Sequence, residues 1–325
     1  PDFSVVIEGT AAVNGATVRR SSEGDLQLVG TGVNGVSLSG KAALAASSQG
    51  DIGVDSTGLL QVNDASITSS HGAITLEGVS VGSMAVLLTG AKIDAGDGSL
   101  FVHGQANINS TAAIVLQTNN ELSARGAEGT RLVGDNPGAV GLGSGVYFQG
   151  PNAPVTLTGA GNLSISGLVT SGTAVLLNPA TVSRSGATDS IEILGTGGQI
   201  SLQAISSSAV SSVHAGGDVT LSAPSVSIGS GSSVSANQDV KVITDTLALS
   251  GHVNAARSAV IAPKSNARPI VVGATDSSKL AVTQAMLNLV DAPTVAIGSA
   301  QATGGRMLAG NVSLASGRTL SLIQG

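Results

Sequence analysis

The chain contains no cysteine and no tryptophan, and its 325 residues include only three phenylalanines and one tyrosine. The absence of cysteine excludes a disulfide framework and any metal site built on thiolates. The scarcity of aromatic residues argues against a compact globular domain, because large rings normally fill the thick centre of such a domain. The core must therefore be thin and made of valine, isoleucine, leucine and alanine.

Charged residues are also scarce, at 10% of the chain, and the formal net charge is -6 at pH 7. The 14 basic residues are scattered, and Arg19-Arg20 is the only adjacent pair. Nucleic acid is not an expected partner, because a groove for it needs clustered lysine and arginine. No run of about 18 apolar residues is present, so no membrane-spanning helix is expected. The first residues lack a signal-peptide pattern and the last ones stop within a strand pattern, so both ends are interpreted as cuts through a longer protein.

What the chain does have is glycine, 45 residues of it, with aliphatic and polar residues alternating in between. The clearest unit is Gly217–Gly229, in which Val219 and Leu221, and then Val226 and Ile228, fall on one side of two successive strands. A proline separates the two runs and is expected to end the first strand. Alternation of this kind is typical of strands with one buried face.

The unit recurs along the chain at a fairly regular distance. Its opening residues are 22 and 26 apart in one region and 19 and 21 apart in another, in the order Ile52, Ile74, Leu100 and then Ile200, Val219, Val240. A period in this range, with two or three short strands per turn, predicts an all-β fold, a three-sided parallel β-solenoid. About 13–15 coils fit in the chain, and a strand spacing of about 4.8 Å then gives a rod of roughly 60–70 Å.

The solenoid is predicted to be continuous, with four regions. Coils fill residues 1–121 and 155–267, and a C-terminal module of coils fills residues 268–325. One short helical insertion is expected near 280–290, where Thr283 is a suitable N-cap.

The fourth region, residues 122–154, fits the repeat least well, since it contains three prolines, several charged residues and the adjacent Tyr147 and Phe148. It is interpreted as an irregular coil or a loop excursion. Loops that project from a rigid scaffold vary without disturbing it and often carry binding residues. Arg125, Arg131, Tyr147 and Phe148 are therefore the candidate partner-binding residues of the chain.

Coils of the form Gly-x-aliphatic-x-aliphatic, with Ala, Ser, Thr and Asn between them, resemble the filamentous haemagglutinin-like exoproteins of two-partner secretion. The most specific part of the resemblance is C-terminal, at Val260–Gly273, Leu280–Leu289, Ala292–Gly298 and the Gly-x-aliphatic-x-aliphatic coil at 310–314. These segments together look like a module of very large family members. The chain departs from the family's N-terminal secretion domain, because no Asn-Pro-Asn triplet occurs in it.

The resemblance implies a right-handed β-helical shaft that is exported through an outer-membrane transporter and displayed on, or released from, a bacterial cell. Shafts of this family serve in adhesion, biofilm and virulence, or carry a toxic tip to a neighbouring cell. The implied partners are that transporter for the parent protein and a host or bacterial surface glycan or receptor. Enzyme activity and a cofactor are not expected.

Two other functions stay open, the first being a carbohydrate-active β-helix enzyme. Such enzymes need carboxylates that converge in one groove. The closest acidic groupings are Asp51 with Asp55, Asp94 with Asp97, and Asp239 with Asp245. Asp94 and Asp97 lie in a corner composition, where an aspartate that caps its own turn is the simpler interpretation. The four histidines are likewise interpreted as polar corner residues, so no catalytic, cofactor-binding or metal residues are predicted.

The second alternative is a glycan-binding module that uses residues 122–154 with Tyr147 and Phe148. The chain also contains three Asn-x-Ser/Thr sequons, at Asn109, Asn162 and Asn311. Glycosylation is not predicted from them, because a sequence rich in asparagine and serine produces such triplets by chance.

Overall fold

A computed structural model describes residues 5–9, 11–14, 17–20, 25–31, 35–46, 49–107, 112–139, 143–150, 155–206, 209–301 and 305–325. Within these ranges the chain is nearly all β, with 35 strands and a single helix of four residues. The described part also contains no helix long and apolar enough to cross a membrane.

The strands of the N-terminal half are short and follow one another closely. They are β1 (Val5–Gly9), β2 (Ala11–Asn14), β3 (Thr17–Arg20), β4 (Leu26–Gly30), β5 (Val36–Ser39), β6 (Ala43–Ala46), β7 (Ile52–Ser56), β8 (Leu60–Asn63), β9 (Ser66–Ser69), β10 (Ile74–Ser80), β11 (Val86–Thr89), β12 (Lys92–Asp94), β13 (Leu100–Ala106), β14 (Ala112–Gln117), β15 (Asn119–Ser123), β16 (Thr130–Asn136), β17 (Ser144–Gln149) and β18 (Val155–Thr158).

The C-terminal half continues in the same way and includes the helix α1. Its elements are β19 (Leu163–Val169), β20 (Thr173–Asn178), β21 (Ala180–Arg184), β22 (Ile191–Thr196), β23 (Gln199–Leu202), β24 (Ser212–Ala215), β25 (Val219–Ile228), β26 (Ser233–Ala236), β27 (Asp239–Leu249), β28 (His252–Ala255), β29 (Ser258–Ala262), β30 (Ile270–Val272), β31 (Leu280–Val282), α1 (Gln284–Leu287), β32 (Val290–Asp291), β33 (Thr294–Ser299), β34 (Met307–Ala309) and β35 (Thr319–Gln324).

The strands stack in series, because from β1 to β22 each strand pairs in parallel with the third strand after it. The first series is β1, β4, β7, β10, β13, β16, β19, β22, β25, β27, β29, β33 and β35, which is 13 strands in the described residues. The second runs from β2 to β23 and continues in the second halves of β25 and β27. The third is an 11-stranded sheet from β3 to β32. Long parallel sheets of this kind make the fold solenoid-like.

The register places like residues directly above one another. In the first series one inward column is aliphatic at every level and is at most 2% exposed up to Ile297. It consists of Leu28, Val54, Leu76, Val102, Leu132, Ile165, Ile193, Leu221, Val242, Ile261 and Ile297. Burial of each such side chain stabilises the fold by about 1.5–3 kcal/mol. The prediction of a thin aliphatic core is therefore confirmed.

Coil length varies more than the spacing of the predicted openers suggests. Along the inward column, the coil from Leu132 to Ile165 contains far more residues than the coil from Val242 to Ile261. The openers Ile52, Ile74 and Leu100 do pair with one another. The opener Ile200 was misassigned, because it pairs with Val226 in the second series and does not begin a coil.

The predicted strand break at Pro224 is not observed, since β25 runs through it. The first half of β25 pairs with β22 and the second half with β23, so the corner between two series lies inside one strand. Pro224 is exposed on the outside of this corner, and its carbonyl accepts a hydrogen bond from Thr244 Oγ1 at 3.2 Å. A proline that bends a strand outward at a corner therefore does not end it.

Residues 122–154 are more regular than the sequence suggests. β16 pairs with β13 and β19, and β17 pairs with β14 and β20, so both strands continue the series without a break in register. Pro137 falls in the turn after β16, where no ladder hydrogen bond is needed. The described residues of this stretch therefore belong to the stacked coils and do not form a projecting loop. Residues 140–142 and 151–154 lie outside the described residues.

The C-terminal part contains the predicted helical turn. Thr283 caps α1, because its Oγ1 accepts a hydrogen bond from Met286 N at 3.3 Å. The strand predicted at 310–314 is absent from the structure, which describes that segment. Gln284 explains the difference, since its side-chain amide hydrogen-bonds both Ser313 N and Ser313 O at 2.8 Å and satisfies backbone groups that a strand would pair.

The corner after the second series uses a left-handed backbone conformation. Asp64, Gly90 and Thr118 occupy equivalent corner positions, one residue after the paired ends of β8, β11 and β14, with φ of 47°, 61° and 54°. Glycine and aspartate tolerate this region, but a β-branched residue is strained there. Thr118 is exposed, so its side chain gains little from packing in return.

Replacing Thr118 with glycine is expected to raise the free energy of unfolding by about 0.5–1 kcal/mol, because relief of left-handed strain exceeds the entropy cost of glycine. Thr156→Gly, in the extended strand β18, is the matched control and should lower it by about 1 kcal/mol. Chemical unfolding followed by circular dichroism compares the two. A lower stability for Thr118→Gly would contradict the strain at this corner.

Arg184 is the unusual residue of the interior. It lies inward at the end of β21, it is 0% exposed, and none of its three guanidinium nitrogens has a hydrogen-bond partner among the described residues. The next three coils have Ala215, Ala236 and Ala255 at the same position. Gly159, one coil before, leaves space for the guanidinium, because a Cβ there would collide with Nη1.

Burial lowers the pKa of Arg184 to about 10, an effect that the carboxylate of Asp189 partly opposes. The side chain therefore still carries its charge at neutral pH. A buried charge without hydrogen-bond partners destabilises the folded state.

The substitution Arg184→Met keeps the length of the side chain and removes the charge, so we expect stability to rise by about 1–3 kcal/mol. Thermal unfolding measured by circular dichroism would show it as a higher melting temperature. The exposed Arg306 provides the control, since Arg306→Met should leave the melting temperature nearly unchanged. A lower melting temperature for Arg184→Met would mean that the guanidinium stabilises the corner.

Candidate functional site

The four predicted partner-binding residues do not form one loop. Arg125 is exposed at a corner, with Nη1 at 3.9 Å from Asp94 Oδ1. Arg131 is exposed on the outer face of β16, in the first series. Tyr147 is half-buried on the outer face of β17, in the second series. The structure therefore distributes these side chains over separate surfaces.

Phe148 is not available to a partner, because it is 0% exposed. It pairs in register with Leu116 and Leu177 and lies inside the aliphatic core. Adjacent residues of a strand point to opposite sides, so an outward Tyr147 requires an inward Phe148. Its assignment to a binding loop depended on the absence of a strand at this position.

Arg131 belongs to an outward group on two adjacent coils, with Phe101, His103 and Asp135. The guanidinium carbon of Arg131 lies 5.5 Å from the centroid of the Phe101 ring, which stacks on the imidazole of His103 at 5.8 Å between centroids. His103 Nε2 is 3.1 Å from Asp135 Oδ2. Arg131 and Asp135 thus contact Phe101 and His103 of the preceding coil, and these contacts stabilise the stacking.

The sequence contained a signal for this group that the repeat pattern alone did not expose. Phe101 and His103 alternate with Leu100 and Val102, so both had to point outward once β13 was recognised as a strand. Arg131 lies on the next coil and pairs directly with Phe101. The coil that separates them is one of the longer ones, so the spacing in the sequence did not indicate this pair.

The interpretation of the histidines as corner residues was wrong for two of the four. His103 lies within β13 and His214 within β24, whereas His252 is the first residue of β28. A histidine on the outer face of a strand is as accessible to solvent as one at a corner, so the residue type alone did not distinguish the two positions.

Tyr147 lines a cleft on the outside of the second series. The cavity has a volume of about 400 Å³ and is bordered by Tyr147, Gln117, Thr118, Gln149, Asn178 and Ile205. Ile205 is 53% exposed and also borders a neighbouring cavity of about 380 Å³, whose other walls are Ala204, Ser206, Val210, Ser230 and Gly231. We call these two adjoining cavities the Tyr147 cleft.

Three amide side chains lie beside Tyr147 in register. Gln117, Gln149 and Asn178 occupy equivalent positions on β14, β17 and β20, at the ends of three successive strands. Gln117 Nε2 donates a hydrogen bond to Gln149 Oε1 at 2.8 Å. The paired neighbours of Tyr147 itself are Val115 and Leu176, so the ring stands between apolar side chains.

The carboxylates that could suggest catalysis serve mainly at corners. Asp51 Oδ1 accepts a hydrogen bond from Ala73 N at 2.7 Å, and Asp218 Oδ1 accepts one from Asp239 N at 3.0 Å. In both cases a side chain of one coil binds the backbone of the next. Asp94 Oδ1 accepts from Gly96 N at 2.9 Å and so caps its own turn.

The remaining predicted acidic residues also have partners. Asp55 Oδ2 accepts from Gln27 Nε2 at 3.0 Å, Asp97 Oδ2 lies 3.7 Å from His71 Nε2, and Asp245 Oδ1 accepts from Ser265 N at 2.8 Å. Across the described ranges, no group of three or more His, Cys, Asp or Glu side chains is arranged to hold a metal ion.

The three sequons have different surroundings. Asn162 is exposed, but its Oδ1 accepts a hydrogen bond from Ser190 N at 2.9 Å as part of a corner. Asn311 is exposed in the segment after β34. Asn109 lies outside the described residues.

Asp239, at the start of β27, accepts several side-chain hydrogen bonds from the next coil. Arg257 donates to it twice, from Nε at 2.8 Å and from Nη2 at 2.6 Å, and Ser258 Oγ donates at 3.0 Å. The hydrogen bonds from Arg257 hold the pKa of Asp239 below its usual value of 3.8, with burial opposing them and Ser258 and Lys241 adding to them.

Asp239 should therefore stabilise the fold above about pH 4, and its contribution should disappear as the pH falls through its lowered folded-state pKa. At neutral pH, Asp239→Asn is expected to cost only about 1 kcal/mol, because Arg257 is 63% exposed. Acid unfolding should then show a smaller loss of stability below pH 4 in the variant than in the wild type. The control is Asp55→Asn, whose carboxylate binds the neutral Gln27 amide. Parallel acid curves for wild type and Asp239→Asn would refute the prediction.

Comparison of the chain with protein-family models, with curated proteins and with solved structures finds no match. The resemblance to two-partner secretion exoproteins therefore stays a prediction from the sequence. What the protein does has to be inferred from its stacked strands, its corners and its outward surfaces.

Proposed function

We propose that the chain is a structural and adhesive shaft segment of a secreted bacterial surface exoprotein. The observation that carries the proposal is the unbroken register of the first series, in which 13 strands pair in parallel from β1 to β35 in the described residues. Each coil contributes one step along a single axis, so length and stiffness grow together. A molecule of this kind holds other regions of its parent protein away from the cell surface.

The complete architecture in this proposal is a right-handed, three-sided parallel β-helix. Pairing of each strand with the third one after it supports three sides, one for each series. Parallel strands joined by crossovers in the same sheet are almost always right-handed, which supports the hand. The 13 strands of the first series correspond to a rod of about 60 Å at a spacing of about 4.8 Å.

Export and display follow from the resemblance of the coils to two-partner secretion exoproteins. On this proposal the parent protein crosses the outer membrane through a dedicated transporter and acts at the cell surface or in the medium. A chain without cysteine suits this route, because it forms no disulfides before or during passage. Its coils can then stack after export, starting from any one that has folded.

A carbohydrate-active enzyme is the alternative that the corner contacts disfavour. Glycoside hydrolysis needs two carboxyl groups about 5–9.5 Å apart on either side of the substrate. Asp51, Asp94 and Asp218 instead hold backbone amides of their own turn or of the next coil. A glycan-binding module is the second candidate function, and the Tyr147 cleft is the observation that favours it.

Antibodies raised against the purified chain should label intact, unpermeabilised cells of the source organism in immunogold electron microscopy. Deletion of the gene for the outer-membrane transporter should abolish the label, because the shaft then stays inside. Antibodies against a cytoplasmic protein provide the control for intact cells. Label that requires permeabilisation, or that survives deletion of the transporter, would contradict the proposal.

A further inference from the structure

We infer that the Tyr147 cleft binds a neutral oligosaccharide, with one sugar ring stacked on Tyr147 and the chain of sugars continuing past Ile205. The inference depends on the glycan-binding candidate and not on the shaft or its export. It concerns a defined surface of the second series, between β14 and β25.

The ring of Tyr147 supplies the apolar platform that a sugar requires. It is half-buried between its paired neighbours Val115 and Leu176, of which Val115 is 1% exposed. These neighbours fix the ring, so little side-chain entropy is lost when a ligand stacks on it. Tyr147 is the only tyrosine of the chain, and it stands at the wall of a cavity.

The amide row beside Tyr147 supplies the polar contacts. Gln117, Gln149 and Asn178 present donors and acceptors at successive coils, about 4.8 Å apart along the axis. A primary amide both donates and accepts, as does a sugar hydroxyl, so each can exchange hydrogen bonds with adjacent hydroxyls. The bond between Gln117 and Gln149 orients two of the three amides before a ligand arrives.

The lining also indicates that the ligand is uncharged and extended. Among the described residues, neither cavity of the cleft is lined by a charged side chain. An acidic saccharide would bury its carboxylate or sulfate without a cation, which is unfavourable. Ile205 separates cavities of about 400 and 380 Å³, so a ligand that fills both must bend over one exposed apolar side chain.

An extended peptide is the other ligand that such a cleft could suggest, and the strands argue against it. Peptides that add to a sheet need a free strand edge. β17 pairs with β14 and β20, and β23 pairs with β20 and β25, so the strands beneath the cleft have both edges occupied. Recognition must therefore come from side chains, which here are amides, hydroxyls and one aromatic ring.

The experiment is a glycan array followed by calorimetric titration with the hexasaccharides of maltose, cellobiose and N-acetylchitobiose type as neutral probes. A heparin hexasaccharide and a short uncharged peptide of similar length are the comparison probes. We expect at least one neutral hexasaccharide to bind and the heparin fragment and the peptide to bind more weakly. Tyr147→Ala should weaken that binding about tenfold or more, because the stacked ring is lost.

Three further variants make the result specific. Tyr147→Phe keeps the ring and should retain most of the affinity, and Gln149→Leu removes one amide and should reduce it about fivefold. Phe101→Ala removes the outward ring of the first series and should change nothing in sugar binding. Circular dichroism verifies that each variant is folded, so that lost binding is not lost structure.

The inference is overturned if no neutral hexasaccharide binds, if Tyr147→Ala binds as well as the wild type, or if the heparin fragment or the peptide binds best. Any of these results leaves surface labelling of cells unaffected. The experiments therefore distinguish failure of the oligosaccharide-binding inference from failure of the proposed shaft function.

Discussion

The fold depends on one interaction, the backbone ladder between each coil and the next. Every inward column, corner contact and outward group follows from the register that this ladder sets. Parallel pairing in register puts Leu76 on Val102 and Val102 on Leu132, so a core without large rings still excludes water. Because each coil contacts mainly its two neighbours, the structure tolerates both the long coil that ends at Ile165 and the short one that ends at Ile261.

At the corners, the ladder between strands leaves some backbone groups without a partner, and polar side chains form hydrogen bonds with them. Asp51, Asn162 and Asp218 each accept a hydrogen bond from the backbone of the next coil. This use of side-chain oxygens gives these acidic residues a structural role at the corners. Arg184 is the exception, since it brings a charge into the interior without a hydrogen-bond partner among the described residues. Both the Arg131 group and the Tyr147 cleft lie on the outward faces of the strands and not at the corners.

Much of this could be predicted from the sequence, and the failures have a common cause. Alternation identified the inward Val219 and Leu221, and capping chemistry identified Thr283, because both signals are local. Ile200 was misplaced and Phe148 was assigned to a loop, because their positions depend on which coil lies next to them. Coil length varies, so counting along the sequence does not give the register. The cleft combines Tyr147 with Ile205 from a later coil, and only the stacked structure brings these two together.

The absence of cysteine from the chain allows a direct measurement of the register. Ser164 and Glu192 are paired outward residues of β19 and β22, whereas Leu194 lies two positions beyond Glu192 on the same face. Paired α-carbons in a parallel ladder are about 4.8 Å apart, within the range for a disulfide, and the diagonal pair is roughly 8 Å apart, beyond it. Under mild oxidation, Ser164→Cys with Glu192→Cys should form an intramolecular disulfide, and Ser164→Cys with Leu194→Cys should not. Efficient closure of the diagonal pair, or failure of the paired one, would contradict in-register stacking of the coils.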